Sequence, residues 1–127
     1  MMITFEEAAD MLDEIANEMP QDIFVSLNGG INILPEVKYH PESVDSDLYI
    51  MGEYCHNNLG RYINIFYGSV MRVYAYLPAD RLKQKIEEIL KHEFTHHLES
   101  LAGEKELTVQ DDMDLFKYKS RRGSSVD

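Results

Sequence analysis

One stretch limits the possible folds of this chain more than any other. From Leu82 to Leu101 the apolar residues Leu82, Ile86, Ile89, Leu90, Phe94, Leu98 and Leu101 recur at spacings of three and four. That period belongs to a helix with one face on a core. Pro78-Ala79-Asp80 provides a start and Gly103 a stop. A helix this long needs partners, and the preceding residues supply them. Thr4-Phe5-Glu6-Glu7 fits a capping box, and Phe5, Ala8, Met11, Leu12, Ile15, Ala16 and Met19 form a second helical stripe over about residues 5–18. Pro20 ends that helix or begins a short one, and Asn28-Gly29-Gly30 marks a turn.

Between the two helical stretches the pattern is that of strands. Ile31–Leu34, Leu48–Tyr54 and Arg61–Tyr67 are short runs rich in β-branched and aromatic residues. Val70–Tyr74 is a possible fourth strand, carrying the chain beyond Gly68. The Pro- and Ser-containing segment Glu36–Asp47 is expected to be a loop. A further helix is expected after Thr108, through Met113, Leu115 and Phe116, and the tail 119–127 is expected to be disordered. Helix, strands, helix, helix gives an α+β fold. A small, mostly antiparallel or mixed sheet packs against the N-terminal helix and the long helix, in one domain over residues 1–118.

The 127 residues include 12 Lys+Arg and 23 Asp+Glu, a net charge of −11. That balance argues against nucleic acid and anionic membrane surfaces, both of which call for basic residues. The N-terminus lacks the basic and apolar regions of a secretory signal, and no run is apolar enough to span a bilayer. Cys55, the single cysteine, permits no internal disulfide and reads as a small buried hydrophobe in a reducing compartment. A cytoplasmic location is expected.

The long stripe contains His92-Glu93-Phe94-Thr95-His96, an H-E-x-x-H match. On a helix the two imidazoles lie about 40° apart around the axis and about 6 Å apart along it. So placed, they can converge on one Zn²⁺ at about 2.0–2.1 Å. Glu93, beside them, can act as general base on a metal-activated water and later return the proton to a leaving amine. Random order gives this match in about 2% of chains of such composition, and here it falls on the shoulder of a strong apolar stripe. The bland alternative is a charged helix segment with unconnected histidines. A catalytic zinc needs a third protein ligand. Glu99 projects near His92 but lies farther down the axis, so reaching the ion is awkward. Gly103 permits a chain reversal, after which Glu104 and Glu106 come first and Asp111 and Asp112 later; Glu104 and Glu106 are the candidates. His97 points into the apolar stripe and reads as a satisfied core histidine, or one that supports the metal ligands from behind, rather than as a third ligand. His40 and His56 lie in loops that could approach the site. Tyr62 and Tyr67 are candidates to stabilise an oxyanion, and the strand Tyr62–Tyr67 could offer an edge for an extended peptide.

The string His92–His97, Gly103 and the acidic residues after it resemble the small bacterial minimal-zincin metallopeptidase-like proteins. Leu27–Gly30, Leu34–Glu36, Tyr39–Glu42, Gly52–Tyr54, Leu59–Tyr62 and Phe66–Ser69 extend the resemblance over nearly all of residues 3–118. It implies a zincin-like α+β fold, zinc held by His92, His96 and a carboxylate, and Glu93 as general base. In that pattern the glycine comes about one helical turn sooner after the second histidine. Counting three residues on from Gly103 gives Glu106, whereas Glu104 is nearer the reversal. The resulting expectation is a zinc-dependent peptidase acting on a peptide or protein substrate. The alternative is a non-proteolytic metal-binding regulatory or partner-binding module of the same fold.

Overall fold

The computed structural model describes residues 3–42 and 48–104, apart from the side chain of Glu104. The helix expected after Thr108, the candidate Glu106 and the tail 119–127 lie outside the described residues. Among the described residues there are three α-helices, α1 (Phe5–Glu18), α2 (Tyr67–Tyr74) and α3 (Ala79–Glu104), and five short strands. These strands are β1 (Ile31–Leu34), β2 (Lys38–Tyr39), β3 (Tyr49–Ile50), β4 (Gly52–Asn57) and β5 (Gly60–Phe66).

Helix α1 starts as its sequence dictates. Thr4 Oγ1 accepts from the Glu7 amide at 3.1 Å and Glu7 Oε1 accepts from the Thr4 amide at 2.8 Å, a complete capping box. Pro20 precedes a single 3-10 turn, Gln21–Phe24.

The main sheet is mixed, in the order β1-β5-β4, with β1 parallel and β4 antiparallel to β5. The strand offered as a peptide edge is therefore the central one. Its local sequence does not reveal that Ile63 and Ile65 pair with Ile31 and Ile33 across a parallel crossover. The edges belong to β1 and β4, and β4 is the one that packs against α3. The Phe66 amide donates to Met51 O at 2.8 Å and the Ile63 amide to Gly30 O. With the pairs Glu53–Asn64 and Cys55–Tyr62 in register, Glu53 and Cys55 bond inward. The backbone of Gly52 and Tyr54 faces outward by the alternation of an antiparallel ladder. β2 and β3 form a separate two-stranded antiparallel ribbon within and beside the stretch read as a loop.

Two further expectations are corrected. Val70–Tyr74 is not a strand but part of α2. Its Val70 and Met71 are buried in the core, while the preceding Ser69 Oγ is locked between the Lys38 amide (2.8 Å) and the Lys38 carbonyl (3.2 Å). Gly103 is not a reversal: α3 runs through it to Glu104, with Leu101 buried in the preceding turn.

Leu82, Ile86, Leu90, Phe94, Leu98 and Leu101 of α3 are buried together with Leu12 and Ile15 of α1 and Ile63 and Ile65 of β5. α3 is thereby fixed in rotation, and its flank is set against β4. Cys55 is only partly buried, and that burial pushes its thiol up, so reactive thiolate is scarce at neutral pH. Among the described residues, no helix is long and apolar enough to cross a membrane.

Candidate active site

Beside the core, α3, the β3–β4 segment and the end of α2 enclose a cleft of about 930 Å³. His92, Glu93, His96 and Glu99 all line it, facing Tyr49–Tyr54 across the opening. The H-E-x-x-H residues thus share one wall, because the rotation that buries Leu90 and Phe94 turns this flank of α3 toward β4.

His92 Nε2 and His96 Nε2 stand 3.1 Å apart, with their rings nearly perpendicular at 88°. Two imidazole nitrogens sharing one tetrahedral zinc stand about 3.3 Å apart. The separation of the two nitrogens is close to that value. On its other edge, His96 Nδ1 lies 3.2 Å from Glu99 Oε1. Among the described residues, no third His, Cys, Asp or Glu joins the pair to form a metal-holding group. Glu104, the last described residue of α3, lies eight residues past His96, about 12 Å along the axis.

Glu93 is buried, 6% exposed, although it carries a carboxyl group. Gly52 makes this possible. A Cβ there would stand 2.8 Å from Ile89 Cγ2 and 3.3 Å from Glu93 Oε2, so only glycine lets β4 approach the carboxyl this closely.

Behind the cleft wall lies a polar network. His97 is fully buried, as its place in the apolar stripe implies. Its Nε2–H donates to Val25 O at 2.8 Å, which leaves Nδ1 to accept from the Tyr54 hydroxyl at 3.0 Å. The Tyr54 hydroxyl in turn accepts from Arg61 Nη1 at 3.0 Å, and Arg61 also donates to Ser100 Oγ. Burial, with Arg61 and His56 adding to it, holds the His97 imidazole below its ordinary value of 6.5. Between the lowered folded value and 6.5 the unfolded chain binds more protons. The contribution of His97 is therefore complete above 6.5 and is lost as pH falls below it. Urea unfolding across this range should show stability declining toward acid pH, and the decline should be shallower in His97→Gln. Parallel curves for the two proteins would refute the assignment.

The remaining candidates are dispersed. His40 lines the cleft, with Nδ1 accepting from the Glu42 amide at 3.0 Å, whereas His56 is exposed on β4 away from the lining. Neither proposed oxyanion tyrosine reaches the cleft. Tyr62 O accepts from Asn57, and Tyr67 O–H donates to Ile3 O near the start of α1. The tyrosines that line it are Tyr49, Tyr54 and Tyr74. Sequence reasoning missed the roles of Gly52 and Glu99. The one available signal was the i, i+3 spacing of Glu99 from His96.

No family model and no curated protein matches the sequence. Among solved structures, the chain is similar to a conserved hypothetical protein from Thermo thermophilus. The two share 29% identity and a TM-score of 0.70, over 80% of this chain and 100% of that one.

Proposed function

We propose that the chain is a zinc-dependent peptidase with a zincin-like site, as its resemblance to the minimal zincins implies. The observation that carries this reading is the 3.1 Å approach of His92 Nε2 to His96 Nε2, with the Glu93 carboxyl buried in the same cleft wall. His92 and His96 would hold the ion, and Glu106, outside the described residues, would complete its protein ligands, since Glu104 lies too far along α3 to reach it. Zinc held there would supply a Lewis acid that polarises a carbonyl and acidifies water.

The chain's own residues account for the rest. A Glu93 oxygen takes the proton from the attacking water and passes it to the departing amine nitrogen. Ile89 and Gly52 pack about Glu93 and keep bulk solvent from it. The outward backbone of Gly52 and Tyr54 lies along the cleft, where an extended peptide can add as a further strand. Tyr49, Tyr54 and Tyr74 offer apolar surface.

The test is metal analysis of untagged protein, followed by digestion of a peptide library with zinc and with a chelator. Zinc near one per chain and chelator-sensitive cleavage are expected. Zinc without cleavage would replace the peptidase with a non-proteolytic metal-binding module. A chain that takes up no zinc would remove both.

A further inference from the structure

We infer that Glu99 is a positioning residue that sets the tautomer of His96 and so turns its Nε2 lone pair toward His92. This deepens the zinc reading, but it stands on geometry that is present without the ion.

A neutral imidazole carries one proton, and the nitrogen that lacks it is the one able to bind metal. Glu99 follows His96 by three residues on the uninterrupted helix α3, so its carboxylate comes up beside the ring. Oε1 lies 3.2 Å from Nδ1. A carboxylate accepts and cannot donate, so Nδ1 must carry the proton. Nε2, on the far edge of the ring, is then left with its lone pair facing His92 Nε2 at 3.1 Å. In the metal-free chain the contact between the histidines closes with His92 Nε2–H donating to His96 Nε2.

The same geometry excludes Glu99 from the ion itself. Nδ1 and Nε2 diverge across the ring, and a carboxylate held at one cannot also face an ion bound at the other. Carboxylates that grip the outer nitrogen of a metal-binding histidine fix ring orientation and raise its basicity. Glu99 is placed to do this although helix α3 does not turn back after His96.

The experiment uses the full chain, wild type, Glu99→Gln and Glu99→Ala, in mildly alkaline buffer. Long-range proton–nitrogen NMR on the metal-free proteins reads the His96 tautomer, and competition with a chromogenic chelator reads zinc affinity. The Nδ1–H form is expected in wild type and in Glu99→Gln, whose amide oxygen still accepts, with a shift toward Nε2–H in Glu99→Ala. Zinc affinity should fall about 10- to 100-fold in Glu99→Ala and distinctly less in Glu99→Gln.

A His96 tautomer unchanged by Glu99→Ala would overturn the inference. So would equal loss of zinc in both variants with the tautomer unmoved, which would make Glu99 a ligand. If wild type bound no zinc, the metal reading would fail on its own, and the tautomer measurement would still decide the role of Glu99.

Discussion

Glu93→Gln should bind zinc as wild type does and lose peptide cleavage by about 10²- to 10⁴-fold. Glutamine matches glutamate in shape, so the packing against Gly52 and Ile89 survives. It cannot accept a proton, so the step that makes water a nucleophile and the step that releases the amine both lose their carrier. A loss of that size equals roughly 3–5.5 kcal/mol of transition-state stabilisation. The buried position of Glu93, 6% exposed, makes the loss hard to offset, because bulk water and buffer bases reach the cleft wall poorly. His92→Ala and His96→Ala form the contrast: they should lose zinc and activity together. Steady-state cleavage of the best library peptide and metal content per chain are the two measurements. A Glu93→Gln protein that cleaves like wild type would exclude Glu93 as the base.

How much was legible in the sequence depends on how local the deciding interaction is. α1 was legible to the residue, because a capping box anchored on Thr4, just before it, and a regular apolar spacing are local to its fourteen residues. The placement of His92, Glu93 and His96 on one wall followed from the helical period of α3 alone. What failed was decided at a distance. Val70 and Tyr74 have strand-forming side chains, yet burial of Val70 and Met71 and the seat of Ser69 on Lys38 make the segment helical. Gly103 suggested a stop, but the backbone continues helically through it. The central position of β5 depends on pairing with β1 across more than thirty residues of chain, which no local pattern encodes. The contact of Glu99 with His96 was within reach of the i, i+3 rule. Weighing Glu99 as a metal ligand hid its simpler role at the outer nitrogen.

Phe94→Ala should cost about 3–5 kcal/mol of stability, the range for removing a fully enclosed phenylalanine. Phe94 is 0% exposed and ranks among the largest completely buried side chains of the described residues. Its ring meets Phe24 edge to face, with centroids 5.0 Å apart at 74°, and lies 6.2 Å from the His97 ring. Truncation leaves a void bounded by the 3-10 turn on one side and the His97 network on the other. Neither side can collapse freely, since the Val25 carbonyl and the Tyr54 hydroxyl both hold His97 in place. Domains of this size are stable by only about 5–15 kcal/mol, so the urea midpoint should drop by on the order of 2 M at unchanged slope. The site should suffer with the core, because Phe94 helps fix the rotation of α3 that turns Glu93 toward β4. Phe94→Leu, which keeps most of the volume, should lose far less stability and retain zinc. A loss below about 1 kcal/mol for the alanine variant is what a surface substitution gives, and it would show that α3 is not seated in the core through this residue.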